Sequence, residues 1–146
     1  MFGGSPLQGK TASELGLKPV MTLQSKLISI RNLSAGESVG YGAKWTALEA
    51  TRVGVVAIGY GDGYPRHAAN GTPTLIRGHI APTIGTVSMD MITIDVSGID
   101  NVKIGDPVTL WGDGLPAEDV AETCDTISYE LFCKITSRVK KEIVHS

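Results

Sequence analysis

Several phenols in this chain are set among glycines. Tyr41 sits in Gly40-Tyr41-Gly42, Tyr60 and Tyr64 share the run Gly59-Tyr60-Gly61-Asp62-Gly63-Tyr64-Pro65-Arg66, and Tyr129 stands apart. A phenol can act as an acid or a base once its pKa is tuned, and flanking glycines let the backbone approach a planar ligand closely. A glycine-rich run also suggests a phosphate cradle. That reading needs a strand before the glycines and a helix after them, and Pro65 with the Ala-Asn-Gly stretch behind it supplies no such helix. On residue types alone, a glycine-flanked tyrosine is more commonly a turn residue with its ring on a neighbour. Met89-Asp90 could simply begin a strand, and Arg66 could be a solvated charge beside a turn.

Other chemistries find less support. Cys124 and Cys133 are spaced for neither a CxxC redox pair nor a zinc site, and no histidine stands near enough to complete a ligand set, so no metal is expected. Buried free thiols are the expected state of both cysteines. A formal charge of −2 on 146 residues leaves no broad basic face, which argues against nucleic acid as a partner. No apolar run reaches the ~18 residues of a spanning helix, and the start, MFGGSPLQGK, lacks the pattern of a signal peptide. No membrane association is expected, and the expected compartment is the cytoplasm.

These residues must be positioned by a mostly β framework. At 42% hydrophobic and 19% charged the chain has the composition of a folded domain, long enough for one real core. Residues 1–19, punctuated by Gly3, Gly4, Pro6, Gly9, Gly16 and Pro19, read as a linker. Residues 20–31 are rich in β-formers, and their apolar positions change parity between Leu23 and Ile28, as in a bulged or strongly bent strand. Ala35-Gly36 supplies a turn. The β-branched run 52–58 predicts a strand buried on both sides and ending at Gly59. Further strands are predicted at 74–77, 79–83, 89–96 and 107–111, each bounded by Gly, Pro or Asp. Within them Ile92, Ile94 and Val96 alternate cleanly and should face inward, opposite Met91, Thr93 and Asp95. Two short helices are predicted at 116–122, with Pro116 at the first helical position, and at 128–134; a last strand at 138–144 should return to the sheet. The fold class is mainly β: a small β-barrel or sandwich domain over residues 20–146, with two short helices near the C-terminus.

Five segments in order carry a wider resemblance: GGSPLQGKTASELGLKPVMTLQSKLISIR, VGYGAKW, RVGVVAIGYGDGYPR, IGTVSMDM and SYELFCKITSRV. Their series is similar to that of bacterial alanine racemases after their barrel, and it covers essentially the whole chain. The family folds as an eight-stranded α/β barrel followed by a mostly β domain. The resemblance therefore implies that this chain is the second part, with residues 1–19 leading from the last strand of a barrel that is missing here. It also implies a homodimer, pyridoxal 5′-phosphate as cofactor, and L-alanine and D-alanine as the substrates. The cofactor's lysine belongs to the barrel, and no lysine in this chain matches it.

Such racemases exchange the α-proton between two bases placed on either side of the substrate plane. The motif around Val39-Gly40-Tyr41-Gly42-Ala43 matches the one that carries the second base, which implies that Tyr41 takes the proton from the L-enantiomer. A free phenol with a pKa of ~10 is only about 0.1% ionised at neutral pH, so it must be tuned. In the family the tuning histidine lies on the barrel, and the tyrosine reaches into the active site of the other subunit. By the same resemblance, the backbone N–H of Met89 would hold the substrate carboxylate. Tyr60, Arg66, Asp90 and Ile127 would line the way in, and Tyr129 would hydrogen-bond the cofactor phosphate. Taken alone, the chain is expected to be inactive. Two other readings are a fold-related decarboxylase, whose Cys-Asp pair matches poorly with a helical Cys124-Asp125, and a non-catalytic β-barrel binding module.

Overall fold

The computed structural model describes residues 21–39 and 45–142. Its strands are β1 (Leu23–Leu33), β2 (Ser38–Val39), β3 (Trp45–Thr46), β4 (Thr51–Val56), β5 (Pro73–Ile76), β6 (His79–Ile84), β7 (Ile92–Asp95) and β8 (Pro107–Trp111). The helices α1 (Ala117–Thr123) and α2 (Ser128–Cys133) follow. Six strands close a barrel in the order β1-β4-β7-β6-β5-β8, all pairings antiparallel, while β2 and β3 form a separate two-stranded sheet.

Closure depends on β1. Its first half, Leu23 to Lys26, pairs with β8, and its second half, from Leu27, pairs with β4. The register shifts between Leu23 and Gln24 and again between Leu27 and Ser29, so the strand bends from one partner to the other. Such irregularities sharpen local twist, which a small barrel needs in order to close. The bent strand expected from residue pattern is thus present, and Ile28, at the second irregularity, is exposed.

The interior is apolar. Leu27, Val56, Ile94, Val96, Val108, Leu110 and Trp111 are fully enclosed. Ile92, Ile94 and Val96 face inward as their alternation predicts, whereas Thr93 and Asp95 are half-buried. Gly54 lies on the inner wall, where a Cβ would come within 2.5 Å of Leu27 Cδ1, so its missing side chain makes room for the leucine. Buried threonines are paired: the Thr74 hydroxyl donates to Ala81 O at 2.6 Å, and those of Thr72 and Thr83 donate to Ala69 O.

The middle of β4 is buried on both faces, as expected: Gly54 and Val56 face the barrel interior and Val53 faces a cluster of Leu33, Val39, Ala47 and Ile84, while Ala57, past the end of the strand, is exposed. Three details differ from the sequence reading. Pro116 precedes the first helical residue instead of being it. Residues 138–142 form no strand: Val139 N closes a turn on Thr136 O, and Arg138 is engaged elsewhere, while residues 143 and 144 lie outside the described residues. Cys133 is exposed, since it falls on the outer face of α2; Cys124 is half-buried, and both thiols are free.

A second, smaller core lies beside the barrel. Leu33, Val39, Ala47, Val53 and Ile84 cluster there with half-buried Trp45 against them. Val39 pairs with Trp45, and backbone bonds from Gly36 N to Ala47 O and from Ala47 N to Glu37 O continue the ladder. This seats the hairpin that brackets residues 40–44. Tyr41 is among them, so it lies outside the described residues.

Candidate active site

Two turns meet at the end of β4. After Val56 the chain runs through Gly59 into a single 3-10 turn, Tyr60–Asp62, whose Gly59 N donates to Asp62 Oδ2 at 3.0 Å. Tyr60 N donates to Ser88 O at 3.0 Å and Gly61 N to Met89 O at 2.9 Å, which presses this turn onto the segment before β7. A Cβ on Gly59 would come within 2.2 Å of Ser88 O, and one on Gly63, whose φ is +108°, within 2.3 Å of Lys134 O. The alternating glycines thus allow backbone to pack on backbone, which accounts for the motif without a phosphate.

The side chains gathered here are polar and accessible. Tyr60 is 39% exposed, and the Arg66 guanidinium carbon lies 5.1 Å from its ring centroid, a cation–π arrangement. Met89 is 52% exposed; its carbonyl is engaged by Gly61, but its N–H has no hydrogen-bond partner among the described residues. The fold around that amide is set by Ser88, whose hydroxyl both accepts from Met91 N at 2.9 Å and donates to Met91 O. Arg66 borders three shallow clefts of about 260 to 280 Å³, one shared with Tyr60 and Lys134, one with Asn70 and Thr86, and one with Cys124 and Glu130.

Ile127 and Tyr129 lie apart from these residues, at the start of α2. Ile127 is 65% exposed, and Tyr129 is half-buried with its ring edge-on to Phe132 at 6.5 Å between centroids. The helix is tied together by Thr126, whose hydroxyl donates to the Glu130 carboxylate, and by the Lys134–Glu130 ion pair. Lys134 first, and Thr126 after it, hold the Glu130 carboxyl below its ordinary range. The backbone of Lys134 and Ile135 then packs on Gly63, which links α2 to the turn bearing Tyr60.

With the site assembled, comparison with known proteins settles its family. The family model described as the alanine racemase C-terminal domain matches residues 20–143. The chain belongs to that family. An alanine racemase of Vibrio vulnificus strain CMCP6 is 59% identical over 140 residues, spanning 96% of this chain and 39% of the relative. One from Alcanivorax borkumensis is 54% identical over 144 residues, 99% of this chain and 40% of its own length. Among solved structures, the biosynthetic alanine racemase from Pseudomonas aeruginosa superposes with a TM-score of 0.96 at 50% identity, covering 99% of this chain and 40% of that one. The alanine racemase of Bartonella henselae, solved with covalently bound pyridoxal phosphate, matches at 0.81 and 30% identity over 91% of this chain and 36% of that one. The chain therefore spans about two-fifths of the length of these relatives.

Within this alanine racemase C-terminal domain, Tyr60, Arg66, Met89 and Asp90 are brought together by the packing of the two turns, while Ile127 and Tyr129 stay apart at the start of α2. The β2–β3 pair adjoins the end of β6: Gly85, with φ +76°, lies so close to Val39 that a Cβ would be 3.1 Å from the Val39 carbonyl oxygen, while Tyr41 lies outside the described residues. Residue types alone overlooked Arg138. Its guanidinium is 2.5 Å from Asp90 Oδ1 and 3.4 Å from Asp62 Oδ1. Its only local signal is a positive charge following Thr136-Ser137 in a segment that reads as a strand. Tyr64 is the opposite case: the burial that encloses it, with Cys124 nearby, pushes its phenol far above the ordinary range and removes it as a base. Among the described residues no group of His, Cys, Asp or Glu could hold a metal, and no helix is long and apolar enough to cross a membrane.

Proposed function

We propose that this chain is the part of an alanine racemase that carries one of its two bases and the walls through which alanine reaches it. The observation that carries the reading is the N–H of Met89, which has no hydrogen-bond partner among the described residues and is held at an exposed turn that packs on the turn bearing Tyr60, with Arg66 over the Tyr60 ring, in a chain of this family. A fixed amide donor with a nearby guanidinium suits a small carboxylate. In this reading Tyr41 removes the α-proton of L-alanine, Met89 N–H holds the carboxylate, and Tyr60, Arg66, Asp90 and Ile127 admit small amino acids and reject bulky ones.

Pyridoxal 5′-phosphate fits the residues present as a group held at its periphery. The Tyr129 hydroxyl has no hydrogen-bond partner among the described residues and would donate to the phosphate. In this reading the cofactor lysine belongs to a barrel joined through residues 1–19. When bound, the cofactor makes the α-proton of alanine acidic. The domain itself places a phenol at one face, holds the carboxylate and restricts access. The active unit is a homodimer in which Tyr41 serves the other subunit's site, and the chain without the barrel is inactive. In the full-length protein, Tyr41→Phe should lower L-to-D turnover by about 10²–10⁴-fold while sparing cofactor binding. Equal rates in variant and parent would remove Tyr41 from the reaction, and carbon dioxide release in place of D-alanine formation would favour the decarboxylase.

A further inference from the structure

We propose that Arg138 is a positioning residue that locks the turn bearing Met89 onto the turn bearing Tyr60, and so sets the aim of the Met89 amide at the substrate carboxylate. The inference rests on the racemase reading of Met89 and extends it to a residue far along the chain.

Arg138 Nη2 lies 2.5 Å from Asp90 Oδ1, and Asp90 is the immediate neighbour of Met89. Its Nε lies 3.4 Å from Asp62 Oδ1, and Asp62 caps the turn that carries Tyr60 by accepting from Gly59 N through its other oxygen. A Cβ on Gly61 would come within 2.1 Å of Arg138 Nη1, so the guanidinium occupies the space that this glycine leaves open. One cation therefore joins two carboxylates from two turns, and a planar, multidentate donor is suited to that geometry. Without it, two like charges would face each other across the join.

The arginine is itself held in place. Thr136 N donates to Asp62 O at 3.1 Å, and the Thr136 hydroxyl donates to Gly61 O at 2.9 Å, so the segment leading to Arg138 is stitched to the same turn. Little conformational freedom remains to be lost when the ion pairs form. The Arg138 side chain is 42% exposed and that of Asp90 62%, and ion pairs this exposed add little to global stability. Their effect is geometric: they fix the direction of an amide whose own side chain contributes nothing to anion binding.

The test uses the full-length protein with pyridoxal phosphate bound and acetate as a carboxylate probe. Arg138→Ala should raise the KM for L-alanine and the inhibition constant of acetate together, by about tenfold, with kcat held within about threefold. Arg138→Lys should fall between variant and parent. Amide hydrogen exchange across residues 86–91 should quicken in Arg138→Ala with little change in melting temperature. An unchanged KM and acetate constant would overturn the inference, as would a parallel collapse of kcat and melting temperature, which marks a purely structural role. A parent protein unable to racemise alanine would sink the functional reading instead, and the exchange of residues 86–91 would still decide whether Arg138 locks the turn.

Discussion

Tyr60 and Tyr64 share one glycine-rich run, yet they belong to regions governed by different physics. Tyr64 is enclosed, stacked on Trp111 with centroids 6.4 Å apart and planes within 14°, and neither its hydroxyl nor the Trp111 Nε1 has a hydrogen-bond partner among the described residues. Tyr60 lies at the rim with Arg66 over its ring, among turns joined by backbone hydrogen bonds and ion pairs. The interior accepts two orphaned polar atoms in exchange for aromatic surface removed from water. The rim buries little and keeps its donors and charges available, which a binding site for a small polar molecule requires.

If that division is right, the largest stability loss should come from the interior. Trp111→Ala should cost about 3–5 kcal/mol in denaturant unfolding, since it empties the space between β8 and Tyr64; a cost below ~1 kcal/mol would mean that the aromatic stack does not hold the barrel. A smaller loss, about 1–3 kcal/mol, is expected for Gly63→Ala, which forces a left-handed residue against the Lys134 carbonyl. Because Gly63 couples α2 to the rim, that variant should also weaken alanine binding in the full-length protein, and unaltered binding would uncouple the two. Tyr64→Phe sharpens the contrast most finely. Deleting an unpaired buried hydroxyl should raise stability by about 1 kcal/mol with turnover unchanged, and a loss of similar size would reveal a partner for that group.

Much of the barrel was legible because strand signals are local. The alternation of Ile92, Ile94 and Val96 comes from the two-residue repeat of an extended chain, and the bends at Gly and Asp mark where strands must stop. The shift of parity near Ile28 likewise announced the bend in β1. The site was legible in a different way: Tyr60, Arg66, Met89 and Asp90 were named through family motifs, and no local rule would have joined residues from two separate loops. Residues 138–142 misled, because residue types that suggest a strand say nothing about whether a sheet edge is available. Cys133 misled for a related reason, since a residue's usual burial does not reveal which face of a helix it occupies.

By itself, then, the order of residues determined the strand-forming segments, the turns between them, the two terminal helices and the family. Closure of six strands through the split pairing of β1, the use of Gly59, Gly61 and Gly63 for backbone contact, and the bridge from Arg138 to Asp62 and Asp90 were decided only in three dimensions. Periodicity acts between neighbours in the chain, while packing and ion pairing act between neighbours in space; the Arg138–Asp90 pair, 48 positions apart, is visible only to the second.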